Sequence, residues 1–352
     1  MSITYTKTEL TGGGAGALDG IDGNLLSDGD CAIVVTDENV FFYTLVAIGA
    51  DPEDGWRYIA PDNNAGTKMW CISVLPVACK GNFVGGFSAA TLSDNDEYDP
   101  DTWVGKTDLS SGRRNLCGTN IASMANGYVF GGIGATNDVD AYSRADAWTS
   151  KTDLPSPGRY GAAAAAIEDR AYVFGGYGSV NLRDTDEYNP GEDAWVSKTD
   201  MPLYGRKYLA AATIDGNGYV FGGQDNYGAA SDTDEYSPDT WVSKATMPSP
   251  ARYFLAAAAI GDKGYVFGGY AGASAFYDTD QYDPDTWLAR TNMPYPARYM
   301  QAAAGFNGHG YIVGGSSPSQ LADTDQYISD TWVSKTNMPS PPRYGHAAMA
   351  MW

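Results

Sequence analysis

Basic charge is what this sequence has least of. Twenty-two Lys and Arg face 43 Asp and Glu, a formal charge of −21. Nucleic acid and anionic membrane surfaces both need a basic face, so the composition excludes them as partners. The acids are spread along the chain rather than gathered in a tail and read as solvated surface. Long apolar runs are absent too, and nothing approaches the roughly 18 residues of a membrane span. Met-Ser-Ile-Thr-Tyr-Thr-Lys at the N-terminus has no apolar core behind a basic start, so no signal peptide and synthesis in a cytoplasm are expected.

Reactive side chains are equally scarce. The four cysteines, Cys31, Cys71, Cys79 and Cys117, lack metal-ligand spacing and are too few for a disulfide framework, so free thiols are expected. Two histidines occur. His309 falls in a turn-like Asn307-Gly-His-Gly310, and nothing brings it to His346. No Gly-x-Ser-x-Gly, His-Glu-x-x-His or Gly-x-x-x-x-Gly-Lys-Ser/Thr signature appears. Asp-x-Asp pairs recur, but no Gly-centred loop supplies the six to eight or so oxygens of a Ca²⁺ site, so neither metal nor cofactor is expected. Paired carboxylates for glycoside hydrolysis stay open, because their separation is invisible in sequence.

Glycine and tyrosine are plentiful, with 43 Gly and 25 Tyr suiting many turns and strands. They are arranged periodically. Gly-Gly pairs begin at Gly85, Gly131, Gly175, Gly222, Gly268 and Gly314, at spacings of 46, 44, 47, 46 and 46. A Tyr and then a Trp follow each pair: Tyr98 and Trp103, Tyr142 and Trp148, Tyr188 and Trp195, Tyr236 and Trp241, Tyr282 and Trp287, Tyr327 and Trp332. Four short extended segments in a period in the forties describe a propeller blade. The Ala-rich runs Ala162–Ile167, Ala210–Ile214, Ala256–Ile260 and Ala302–Phe306 are too short for self-supporting helices. They read as inner strands converging on an axis where larger side chains have no room.

The order of apolar strand, strand ending in Gly-Gly, Tyr strand and Trp strand resembles the Kelch family over about 76–352. That resemblance implies an all-β fold: a six-bladed Kelch-type β-propeller with aromatics packed between blades, preceded by a small N-terminal β domain (1–75). It fixes no function, since propellers host many activities. Kelch copper oxidases need a His, Tyr and Cys-linked Tyr set whose His spacing is missing here. The last residues, Pro342-Arg-Tyr-Gly-His-Ala-Ala-Met-Ala-Met-Trp352, read as an inner strand without its blade, and the C-terminal strand is expected to close blade one. In the competing reading Trp70–Val77 is blade one's own inner strand, and 345–352 joins the N-terminal domain in a seventh, composite blade.

Residues 1–75 do not share the repeat. Thr11–Gly16 is Gly-rich, 17–30 is full of turn residues, and extended runs follow at Cys31–Thr36, Val40–Ile48, Trp56–Ala60 and Met69–Val74. The wording LDGIDGNLLSDGDCAIVV, with FFYTL and WRYIAPDNNAGTKMWCIS after it, resembles modules near the N-termini of bacteriophage tail-fibre and other virion proteins. The resemblance implies a virion-surface location, attachment to other virion proteins through 1–75, and a homo-oligomer, although no heptads reveal its order.

Residues repeated in every blade serve the scaffold. Arg159, Arg206, Arg252, Arg298 and Arg343 are expected to bond the Asp184/Asp186, Asp232/Asp234, Asp278/Asp280 and Asp323/Asp325 pairs and so tie blades together. Function is expected where blades differ. The loops between second and third strands share a face with those between fourth and first strands. That face offers Tyr177, Tyr204, Tyr227, Tyr270, Phe276, Tyr277 and Tyr295 as aromatic platforms. Asn181, Arg183, Asp225, Asn226 and Gln320 are their polar neighbours. Such a set suits a host surface glycan or protein. The leading expectation is a non-enzymatic virion adhesion protein of a phage tail or head fibre. A decoration subunit that packs only on other virion proteins is the alternative, and a carbohydrate-active enzyme comes third.

Overall fold

The computed structural model describes residues 80–351 except Pro100, Ala135, Pro238 and Pro284, and within 1–79 only five strands. The chain divides into two units, Met1–Ala78 and Cys79–Trp352. In the first, Thr4–Lys7, Cys31–Val35, Val40–Ala47, Tyr58–Ile59 and Lys68–Ile72 form one sheet, with the fifth strand between the third and fourth. The turn-rich 17–30, on which much of the virion resemblance rests, lies outside the described residues. Among the described residues no helix is long and apolar enough to cross a membrane.

The second unit is a six-bladed β-propeller of four-stranded antiparallel sheets. Blade 3 shows the pattern: Ala163–Ile167, Arg170–Phe174, Thr185–Asn189 and Ala194–Lys198 run from axis to rim. Ala163, Ala165 and Ile167 are buried against blade 4, and the half-buried Ala164 and Ala166 pack toward blade 2 where the inner strands line the axial channel. Steric room sets this choice. A Cβ on Gly305 of the blade 6 inner strand would stand 1.9 Å from the Ala259 carbonyl of blade 5. Two-residue hairpins such as Asp215-Gly216, at φ of +48° and +79°, link first and second strands. His309 pairs with Phe306, so it opens a strand rather than sitting in the turn.

Blade 1 combines Lys80–Val84, Asn95–Asp99 and Thr102–Gly105 with the C-terminal Ala347–Met351. The register runs from Ala347 opposite Val84 to Met351 opposite Lys80, so the last strand closes the ring as expected.

Neighbouring blades are joined by a repeated set of contacts. At four of the six joints the Phe of one blade meets the Trp of the next edge-on, as in Phe174–Trp241 at 5.4 Å and Phe221–Trp287 at 5.6 Å. The indole N–H of each Trp then donates back to a carbonyl beyond the outer strand of the preceding blade, for example Trp241 to Thr199 at 2.9 Å. The buried arginines complete the joint. The Arg252 carbonyl accepts from Gly223 of blade 4, while its guanidinium reaches Asp280 of blade 5. Arg113 with Asp140 is a sixth such pair, which the expected series omitted. Arg343 with Asp96 joins the last blade to the first.

These joints explain the Gly-Gly pairs. Gly222 sits at φ +53°, and a Cβ there would lie 2.7 Å from the Arg252 carbonyl. Gly222→Ala is therefore expected to cost roughly 2–3 kcal/mol, from left-handed strain plus a backbone clash. Gly216→Ala, at φ +79° with nothing within 4 Å of the new Cβ, should cost only about 1 kcal/mol. Urea unfolding of the two variants checks this, and equal losses would remove the clash argument.

Candidate functional site

One face of the propeller is assembled from the loops that enter each inner strand and those that follow each Gly-Gly pair. The residue after each buried Arg bridges to the residue after the next Gly-Gly. The pairs are Tyr344 with Phe87, Arg114 with Ile133, Tyr160 with Tyr177, Lys207 with Gln224, Tyr253 with Tyr270, and Tyr299 with Ser316. These pairs put the two loop sets on the same end, as the antiparallel meander predicts.

One residue further on, the six entering loops bond to one another in a circle. The amide of Gly161 donates to Asn115, Tyr208 to Gly161, Phe254 to Tyr208, Met300 to Phe254, Gly345 to Met300 and Asn115 to Gly345, at 2.6–2.9 Å. All six residues have φ between +53° and +64°, and four of them are not glycine. The backbone strain is sustained because each residue is held by both neighbours. The circle narrows the axial channel at this face, over a cavity of about 150 Å³ lined by the first residues of the inner strands.

The expected site residues fall into groups on this face. Between blades 3 and 4, the Asn181 amide donates to Asn226 at 3.1 Å, and Tyr204 meets Tyr227 at 5.0 Å. Asp225 beside them is occupied with its own loop, Oδ1 accepting from the amides of Tyr227 and Gly228. Arg183 likewise donates from Nε to the Met201 carbonyl. Between blades 5 and 6, the expected loop Tyr270–Tyr277 is largely a hairpin. Lys263–Ala271 pairs with Ser274–Asp283, so Phe276 and Tyr277 lie on a strand. The carbonyls of Phe276 and Tyr277 accept from Arg298 and Met293, which brackets the Tyr295 loop. Tyr295 and Tyr227 are 93% and 80% exposed, large aromatic surfaces left in water. Gln320, between blades 6 and 1, reaches the Ser88 carbonyl at 3.5 Å. Tyr177 meets Tyr160 at 5.4 Å with the rings tilted, nearer the axis.

Sequence reasoning missed the inner circle of this face. Arg114 lies 4.2 Å over the Phe87 ring, and Lys207 lies 4.4 Å over Tyr177 and 5.4 Å over Tyr208. The signal was available: Arg113-Arg114 and Arg206-Lys207 interrupt the Arg-Tyr pairs of the other four loops.

Two polar side chains sit where three other blades place leucine and blade 3 places Ala162. Leu116, Leu209 and Leu255 follow the circle in their loops, whereas Gln301 and His346 do so in blades 6 and 1. Gln301 donates to the Phe267 carbonyl at 2.7 Å. Burial pushes the His346 imidazole down to about 3, the Arg343 charge adds to this, and the Val313 carbonyl opposes it. His346 is thus neutral in the fold and takes up a proton only on unfolding, so stability falls as pH drops below about 6.5. Relative to His346→Leu, the protein is expected to lose about 2 kcal/mol between pH 7 and pH 5. Asp96, whose carboxyl burial pushes up, contributes with the opposite sign but is common to both proteins. Urea unfolding at the two pH values decides it, and parallel responses would remove His346 as the cause.

The histidines and the thiol of the propeller are not brought together. His309 and His346 lie at opposite ends of the inner hairpins. The free thiol Cys117 is buried, which pushes it up to about 12 and removes its nucleophilicity. Among the described residues no three His, Cys, Asp or Glu side chains are grouped to hold a metal ion.

Comparison with known proteins agrees with the fold. A Kelch motif matches residues 158–202, which is blade 3 with its entering loop. The solved structure titled "Structure of YjhT" superimposes with a TM-score of 0.62 at 17% identity, covering 69% of this chain and 88% of that one. No curated protein matches the chain.

Proposed function

We propose that this protein is a non-catalytic adhesion protein of a virion surface, in a phage tail or head fibre. Residues 1–75 attach it to other virion proteins, and the propeller presents the Tyr-rich face to a host glycan or surface protein. The observation that carries the recognition role is the two highly exposed rings Tyr227 and Tyr295, with Tyr204 against Tyr227 and the exposed Tyr277 on the strand whose backbone brackets the Tyr295 loop. Solvent-facing tyrosines present flat apolar area together with a hydroxyl, at little cost in conformational entropy. Rigid blades behind them keep the platforms in place before a ligand arrives. The virion setting rests on the wording of the N-terminal segment.

Particle-free protein should adhere to host cells and compete with infection. Replacing Tyr204, Tyr227 and Tyr295 with Ala together should weaken adhesion at least about tenfold while leaving thermal unfolding unchanged. Adhesion that survives the triple substitution would refute this choice of surface. Absence of adhesion, with the protein found on particles, would favour the decoration role. Release of reducing sugar from host polysaccharide would favour the enzyme.

A further inference from the structure

Two cations stand near the axis of the recognition face in a chain that carries a charge of −21. Arg114 and Lys207 enter blades 2 and 4, one on either side of Tyr160. Neither forms an ion pair with a described carboxylate, and each is laid over an aromatic ring of the preceding blade, Phe87 or Tyr177. Most other cations of the propeller are spent on acids: the six arginines of the blade joints, and Lys80, Lys106, Lys198, Lys244, Lys263 and Lys335.

The rings between the two cations form one connected surface. Tyr160 meets Tyr177 at 5.4 Å and Tyr208 at 6.1 Å. The Tyr208 hydroxyl also feels Arg114, whose charge works against the upward push of burial and of the Tyr160 hydroxyl. Arg114, Tyr160, Tyr177, Lys207 and Tyr208 therefore share one neighbourhood at the narrowed mouth of the channel. A half-buried cation held on a π-face keeps its donors available, and guanidinium offers a fork that matches carboxylate or sulfate. The surrounding negative field repels anions, so any affinity for one has to come from these two groups.

We propose that Arg114 and Lys207 form an anion-reading subsite for a saccharide bearing a carboxylate or a sulfate, with a sugar ring stacked on the Tyr160–Tyr208 surface between them. The assignment of a biological ligand rests on the adhesion reading above; the chemistry of the subsite does not. It selects acidic over neutral glycans at the centre of the face, while the outer tyrosines add contacts indifferent to charge.

Full-length protein titrated with a tetrasaccharide of linked hexuronic acids, its neutral hexose counterpart and a sulfated form of the latter tests this. The acidic or the sulfated probe should bind about tenfold or more tightly than the neutral one, and which of them does so identifies the anion. Raising salt from about 50 to 500 mM should remove most of that preference. Arg114→Gln and Lys207→Gln should each cost about fivefold to tenfold for the preferred probe and leave the neutral one unchanged. Lys207→Arg should restore binding to within about threefold, which a merely structural role would not predict. Equal binding of all three probes, no binding of any, or a preference retained by the double Gln variant would overturn the subsite. The adhesion reading fails separately: probe discrimination without attachment to host cells would leave the subsite standing and remove its role.

Discussion

A chain ended at Tyr344 is expected to lose the propeller, not merely its last strand. Removing Gly345 onward takes away Ala347–Met351, the innermost strand of blade 1. Three losses coincide. Met349 and Met351, which pack with Val84, Val129 and Tyr142, leave a cavity between blades 1 and 2, at about 2 kcal/mol or more for each buried side chain. Five residues of ladder disappear from Lys80–Val84, whose freed edge then faces the channel as a template for pairing with other chains. The circle of backbone bonds opens where Gly345 bridged Met300 and Asn115. The sum is of order 5–10 kcal/mol, comparable with the whole stability of an ordinary domain. The truncated protein should therefore appear in the insoluble fraction or be digested rapidly by protease, and a peptide covering 345–351 added during refolding should recover part of it. A soluble truncated chain with an unchanged melting temperature would show that the ring does not depend on this closure.

The sequence made that closure legible because the repeat is strict where packing is strict. Gly-Gly, Tyr and Trp recur since each has a fixed neighbour: the Arg carbonyl, the turn Asp and the carbonyl of the preceding blade. Where a blade solves the same problem with other residues, reading failed. The blade 2 inner strand is Cys117-Gly-Thr-Asn-Ile121, which lacks the Ala run and was not named. Arg113 is hidden because its loop has no Tyr and no Ala run follows it, although its bond to Asp140 repeats the others. The face of the site was readable from strand alternation, but the circle of amides was not. Tyr208, Phe254 and Met300 give no hint in sequence that they adopt left-handed backbone, because the bonds that hold them there come from loops roughly 46 residues away. The blade 5 hairpin is likewise illegible in sequence, since pairing past Gly268-Gly269 requires the register shift between Phe267 and Gly269.

Breaking one blade joint from one side should cost far more than replacing both partners. Arg252 is fully buried, and its guanidinium bonds Asp280, which is 4% exposed. Blade 5 is the sharpest place to look. In blades 2, 3, 4 and 6 a serine on the outer strand also donates to the second carboxylate oxygen, as Ser243 does to Asp234 at 2.9 Å. Opposite Asp280 stands Ala289, which has no hydroxyl to give. Arg252→Met would strand a buried carboxylate with no substitute partner, and Asp280→Leu would strand the guanidinium, each at about 3–5 kcal/mol. Arg252→Met combined with Asp280→Leu removes both desolvation costs and keeps apolar volume, so it should fall within about 1–2 kcal/mol of the parent. The double-mutant cycle from urea unfolding should therefore give a coupling of several kcal/mol, far above the exposed Lys335–Asp101 pair, where about 0.5 kcal/mol is expected. Additive losses in the cycle would mean that the two groups are satisfied independently, leaving the aromatic and indole contacts to hold the blades together.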